Sequence, residues 1–117
     1  MSPKRGDRVA PPPGPDEWDI RFRDNDAARG WEELCNQAPD NTLDTWARLR
    51  RNPLPIVQSP RQHCLRGKLG RGSVKGRSLD RWQIEVTRAA RIWYMADSET
   101  TTVWIDEAGP GHPKATE

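Results

Sequence analysis

The chain has 117 residues, of which 33% are hydrophobic and 31% charged, and its six tryptophans supply large apolar areas from few positions. The net charge of +2 hides an asymmetry, because residues 61–94 are strongly basic while residues 16–51 and 95–117 are net acidic. The length predicts a single domain, and the lack of a secretory signal or of an apolar stretch near the roughly 18 residues of a membrane span predicts a cytoplasmic protein.

The first predicted elements are a tail and a strand. Residues 1–15 contain five prolines and almost no large apolar side chain, so we expect a disordered or polyproline II tail before a domain that spans residues 16–117. Strict alternation of apolar and polar residues over positions 18–23 then predicts a strand with its apolar side chains on one face.

Two helices are predicted next, as an antiparallel hairpin. Apolar residues at helical spacing, with Cys35 on the core side, indicate a helix that Asp24 or Asn25 caps and Pro39 ends. A second helix is expected to begin at Asn41 or the following threonine. The residues predicted to face the core from this helix are Leu43, Trp46, Ala47 and Leu49.

The remainder of the chain has strand-like patterns. Prolines at positions 53, 55 and 60 indicate an extended connector. Strands are predicted at residues 64–69, 81–87, 91–96 and 101–108. The fold class is therefore α+β: an N-terminal strand, a two-helix hairpin, then a four-strand antiparallel sheet with the helices on one face.

The turn at residues 88–90 decides which side chains face each other. A three-residue loop avoids positive φ at two alanines, and it would pair Thr87 with Arg91 and Glu85 with Trp93. The side chains predicted to form the core face are Trp82, Ile84, Val86, Ile92 and Tyr94. Those predicted to form a solvent-facing surface are Gln83, Glu85, Thr87, Arg91, Trp93 and Met95.

The predicted open surface groups a carboxylate, a guanidinium and an indole. RNA cleavage needs a base for the 2′-hydroxyl proton, a cation for the phosphate and, often, an aromatic ring that stacks a base. Glu85, Arg91 and Trp93 match these three needs. The alternative interpretation is an ordinary ion pair across two strands, which is common on protein surfaces and contributes little to stability.

A basic middle segment between acidic ends indicates a polyanionic ligand such as nucleic acid, or simply a solvated basic face. Glycines between the cations predict a mobile loop over residues 66–77, without the spacing of a phosphate-binding P-loop. The candidate RNA-binding residues of this segment are Arg66, Lys68, Arg71, Lys75, Arg77 and Arg81. The two cysteines lack metal-ligand spacing, so we expect no metal site.

Three short motifs occur in the second half of the chain: WQIEVT at 82–87, RIWY at 91–94 and GHPK at 111–114. In this order they resemble the RelE/ParE superfamily, the toxins of type II toxin-antitoxin systems. In that superfamily a strand with a polar end is followed by Arg-(Leu/Ile)-x-Tyr, and the chain closes on a Gly-His-Arg-like motif. The resemblance spans the chain from about residue 18 to its end.

The resemblance implies a microbial RNase fold and, in the RelE and YoeB branches, metal-independent and cofactor-independent cleavage of mRNA in the ribosomal decoding site. Arg91 matches the arginine that contacts the scissile phosphate, and His112 matches a region that assists the leaving oxygen. Glu85 would be the base, and Lys114 would contact RNA. The implied partners are a cognate antitoxin, mRNA and the ribosome, with operator DNA bound only through the antitoxin complex and no membrane involved.

Two departures from the family pattern keep other functions open. RelE has lysines where this chain has Gln83 and Glu85, and the usual tyrosine after the Gly-His pair is missing. The alternatives are a ParE-like inhibitor of DNA gyrase and a catalytically degenerate module that only binds nucleic acid or an antitoxin.

Overall fold

In the computed structural model, which describes residues 4–9 and 12–110 (Pro110 without its side chain), two helices and six strands are present. The helices are α1 (Asn25–Gln37) and α2 (Pro39–Arg51). The strands are β1 (Asp19–Phe22), β2 (Gln62–Cys64), β3 (Arg71–Val74), β4 (Arg77–Thr87), β5 (Ala90–Asp97) and β6 (Thr102–Pro110), and a short 3-10 helix (Gly67–Gly70) precedes β3. Neither helix is long and apolar enough to cross a membrane.

The α+β class is confirmed, but the prediction of a four-strand antiparallel sheet is wrong. Within the described residues the sheet has six strands in the order β1-β6-β5-β4-β2, with β3 also paired to β4. It is mixed, because β1 runs parallel to β6 while the other neighbours are antiparallel. Parallel neighbours need a long connection, and here residues 23–101 separate the two strands. No pattern within either strand indicates that pairing.

Both helices pack on one face of the sheet, called here the inner face. The predicted alternation is confirmed, since Trp82, Ile84 and Val86 of β4 are all buried in this core, as are Ile92 and Tyr94 of β5. Strand residues alternate between the two faces of a sheet, so the intervening side chains must lie on the opposite, outer face.

The start of α1 was predicted correctly, whereas the start of α2 was not. Asp24 caps α1 as predicted, with Oδ1 accepting a hydrogen bond from the backbone N–H of Ala27 at 2.8 Å. Ala38 alone separates the helices, and α2 begins at Pro39 instead of two or three residues later. Proline is favoured in the first turn because its missing N–H has no helical partner there. Pro39 therefore ends one helix and starts the next.

The inward faces of the helices differ from the prediction at two positions. Cys35 is exposed and Leu43 is 62% exposed, whereas Thr42 and Thr45 are buried. Both threonine hydroxyls donate to helix carbonyls, that of Thr42 to Leu34 O at 3.0 Å. A satisfied hydroxyl can be buried at little cost, so threonines can replace apolar residues where the helices pack closely.

The N-terminal segment also differs from the prediction. Residues 4–9 run along the free edge of β1, with the N–H of Val9 donating to Ile20 O at 2.7 Å and that of Gly6 donating to Phe22 O at 2.8 Å. Val9 is only 6% exposed and belongs to the core. Residues 4–9 of the predicted tail are thus paired and packed, because an edge strand offers unpaired backbone groups. Residues 1–3, 10 and 11 lie outside the described residues.

Candidate functional site on the outer face

Glu85 and Arg91 are direct neighbours across β4 and β5 on the outer face. The structure pairs Glu85 with Arg91, Gln83 with Trp93 and Thr87 with Ala90. The predicted register was therefore wrong by two residues, and the loop has two residues instead of three. A bulge between Glu85 and Thr87 allows a two-residue turn without positive φ at either turn residue. Because the error is two residues, every side chain keeps its predicted face.

These two side chains do not form the cross-strand ion pair that was the alternative interpretation. Both are half-buried, and neither has a side-chain hydrogen bond or ion pair with another residue of the described part. The backbone around Glu85 is held by Arg61, whose carbonyl accepts from the Glu85 N–H at 2.8 Å. Within residues 4–9 and 12–110, a carboxylate and a guanidinium thus stand on paired positions with no other side chain bound to them.

Trp93 was predicted to be open, and this is a correction. Its side chain is 1% exposed, and its indole N–H donates to Gln83 Oε1 at 2.9 Å. The ring is therefore a packed part of the outer face and cannot stack an RNA base. Met95, also predicted to be open, is fully buried.

The burial of Met95 has a long-range cause. Val74, Leu79 and Trp104 form a second apolar cluster with it, and the first two lie on the β3–β4 hairpin. This hairpin covers one end of the outer face. Its formation from part of the glycine-rich segment was not predicted, since residues 66–77 were expected to be a mobile loop.

A buried carboxylate organises the centre of the outer face. Asp106 is 4% exposed and contacts two guanidinium groups, Arg81 Nε at 2.8 Å and Arg23 Nη1 at 3.0 Å. Arg81 also donates to the carbonyl of Leu69 at 3.2 Å, and its guanidinium carbon lies 5.6 Å from the Trp93 ring centre. Arg81, a candidate RNA-binding residue, is instead a structural ligand of Asp106. Asp106 was not predicted as a site residue. The signal that could have indicated it is an aspartate within a run of strand-forming residues at positions 102–107.

The other candidate RNA-binding residues divide by what they contact. Arg77 contacts the buried Asp97 at 3.0 Å and also pairs with Glu99, so its charge is largely compensated. Arg71 pairs with Asp80 at 2.7 Å, but both side chains are more than half exposed and such pairs are weak. Residues exposed and without an ion pair in the described part are Arg66, Lys68 and Lys75, the last with its Nζ 5.7 Å from the Trp104 ring centre.

Glu107 is a second carboxylate of the outer face that sequence reasoning missed. It lies on β6 directly opposite Trp93, and its side chain is half-buried. Burial, followed by the nearby Asp106 carboxylate, raises the pKa of Glu107 above its ordinary range. One of its carboxyl oxygens is shielded from solvent and has no hydrogen-bond partner among residues 4–9 and 12–110.

Other predicted site residues are placed as follows. His112 and Lys114 lie outside the described residues. His63, the other histidine, is half-buried on β2, where its Nδ1 lies 3.2 Å from the Ser59 carbonyl oxygen. Across the described residues, no three histidine, cysteine or acidic side chains are grouped closely enough to hold a metal ion.

Comparison of the chain with protein-family models gives no match, and neither does comparison with curated proteins.

Proposed function

We propose that this chain is the toxin of a type II toxin-antitoxin pair and cleaves mRNA on the ribosome through the outer face around Arg91. The supporting observation is the direct pairing of Glu85 with Arg91, two half-buried side chains that no other described residue neutralises. A carboxylate beside a guanidinium can supply a base for a 2′-hydroxyl and a fixed, bidentate contact for the adjacent phosphate. The family resemblance assigns the same role to Arg91.

Exposed cations on the same protein suit a polyanion. Arg66, Lys68 and Lys75 are exposed and lie toward the Arg81 and Met95 end of the sheet, so an RNA backbone that extends from the Glu85–Arg91 pair along the outer face could reach them. In this proposal the protein acts in the cytoplasm, and an antitoxin silences it by covering the Arg91 surface. The cleavage uses no metal and no organic cofactor.

Expression of the full chain without an antitoxin tests this proposal, with transcript 5′ ends and plasmid supercoiling measured together. Cleavage within codons supports it, and its absence contradicts it. Arg91→Ala should abolish growth arrest, and Arg91→Lys should impair it, since an ammonium does not reproduce bidentate contact. Arg29→Ala is the matched control, because Arg29 is an exposed arginine on α1. A folded and fully toxic Arg91→Ala variant would contradict the site.

One observation favours a second candidate, a ParE-like inhibitor of DNA gyrase without nuclease chemistry. Trp93, the aromatic residue expected to stack an RNA base, is buried. The same expression experiment separates the two functions, because gyrase inhibition would change plasmid supercoiling or break DNA while transcripts remain intact. If the parent chain changes neither measurement, the degenerate module that only binds nucleic acid or an antitoxin is supported.

A further inference from the structure

Arg91 lies between two carboxylates that come from opposite neighbouring strands. On the β4 side Glu85 is its direct partner, and on the β6 side its direct partner is Gly109. Glu107 is two residues from Gly109 and therefore diagonal to Arg91, at a backbone distance of roughly 7–8 Å. The three strands thus carry a carboxylate, a guanidinium and a second carboxylate on the same face.

The described residues leave room beside Arg91 at Gly109 of β6. Gly109 has no side chain there, and a methyl group built at this position would have no described atom within 4 Å. Arg91 itself has no ion-pair partner among the described residues. A phosphate held by the guanidinium would therefore have room toward β6, where Glu107 stands.

Glu107 is set apart from an ordinary surface glutamate by its surroundings. The charged groups that act on it are Asp106 on its own strand, Arg81 on β4, and Arg23 with Asp24 after β1. Burial is the largest influence and raises its pKa, Asp106 and Asp24 act in the same direction, and Arg81 and Arg23 oppose them. More of this carboxyl is protonated near neutral pH than in a solvated glutamate, which suits a proton donor.

We propose that Glu107 is the general acid of the RNA-cleaving site, with Glu85 as the base and Arg91 as the phosphate ligand. The inference rests on the proposed function. Glu85 takes the 2′-hydroxyl proton, the 2′-oxygen bonds to phosphorus, and the bond from phosphorus to the 5′-oxygen breaks. Glu107 gives its proton to that leaving oxygen. The products are a 2′,3′-cyclic phosphate and a 5′-hydroxyl, with Glu85 protonated and Glu107 ionised.

The placement of the two carboxylates fits an in-line displacement. The attacking and leaving oxygens lie on opposite sides of the phosphorus, so base and acid must approach from opposite sides. Glu85 and Glu107 are separated by β5, which places their strands on the order of 10 Å apart. That separation leaves a phosphate over Arg91 between the two side chains.

The test uses the full chain, ribosomes and an mRNA in which sulfur replaces the 5′-oxygen of the scissile linkage. A sulfur leaving group departs without protonation, so loss of the acid no longer slows the reaction. Glu107→Gln should cleave the ordinary linkage about 10²–10⁴ times more slowly than the parent and the sulfur linkage at nearly the parent rate. Glu85→Gln should be slow on both linkages, because sulfur does not replace the base.

His112→Ala is the competing variant, since the resemblance assigns the leaving-group role to that region. Rescue of His112→Ala by sulfur, with none for Glu107→Gln, would overturn the role of Glu107. So would a Glu107→Gln variant that cleaves both linkages at the parent rate, or one that is folded and equally slow on both. A parent protein that cleaves neither linkage would instead contradict the proposed function itself.

Discussion

Gly30→Ala gives a sharp test of how closely α1 lies against β6. In a helix interior alanine is favoured over glycine by about 1 kcal/mol, so helix propensity alone predicts a more stable protein. In the structure a methyl group at position 30 would lie 1.9 Å from the carbonyl oxygen of Ala108 and 2.8 Å from its carbonyl carbon. We therefore expect the opposite sign.

The magnitude follows from what would have to move. Carbon atoms in contact normally stay about 3.5 Å or more from other heavy atoms, so helix and strand would have to separate by roughly 1.5 Å. The obstacle is backbone, and Ala108 is paired with Ile92 of β5, so it cannot move without disturbing that pairing. Overpacking of this kind costs about 1–3 kcal/mol or more, and taking its upper end against the propensity gain leaves a net loss of about 2 kcal/mol.

Denaturant unfolding of the parent and Gly30→Ala measures this loss as a lower midpoint with an unchanged slope. Asn36→Ala is the matched control, because Asn36 is exposed on the same helix and should show only a propensity gain of a few tenths of a kcal/mol. If Gly30→Ala were as stable as the parent or more stable, α1 would not approach β6 this closely.

Four further outcomes are expected. Tyr94→Phe should lower the free energy of unfolding by about 1–3 kcal/mol, because the buried hydroxyl donates to Pro53 O at 2.7 Å and accepts from Gln62 Nε2 at 2.9 Å. An unchanged midpoint of denaturant unfolding would contradict these two hydrogen bonds. Gln83→Ala should cost about 1–3 kcal/mol by leaving the buried indole N–H of Trp93 unpaired, whereas a residue on a solvent-facing surface, where the sequence placed Gln83, would be nearly neutral to replace. A neutral result would place that indole in solvent. Glu107→Gln should be more stable than the parent at neutral pH, and the difference in stability should vanish near pH 4. The reason is that the Glu107 carboxyl binds its proton more tightly in the folded chain, so the parent loses stability as pH rises from about 4.5 through the raised pKa. Equal dependence of stability on pH in the two proteins would refute this prediction. Removing residues 1–9 should lower the melting temperature, since Val9 and the hydrogen bonds to β1 are lost, and an unchanged melting curve would support the predicted free tail.

Parts of the candidate site were predictable because they depend on alternation alone. Glu85 and Arg91 lie on the outer face for any register that differs by two residues, so even the wrong loop length left them together. Glu107 was not found, because its position beside Arg91 depends on the register between β5 and β6 and on a bulge after Trp93. Trp93 was placed on the correct face, but its exposure was not predictable from that face.

The sequence by itself determined features that depend on neighbouring residues: the cap at Asp24, the helical segments, and the division of β4 into a core face and an outer face. These features follow from side-chain chemistry and from the side-chain repeat of the regular elements, about 3.6 residues in a helix and about 2 in a strand. The tertiary structure alone decided the parallel pairing of β1 with β6, the contact of Arg81 with Asp106, and the packing of residues 4–9 on the sheet edge. The reason is physical, since periodicity states which side chains share a face, whereas burial depends on segments far along the chain that cover that face.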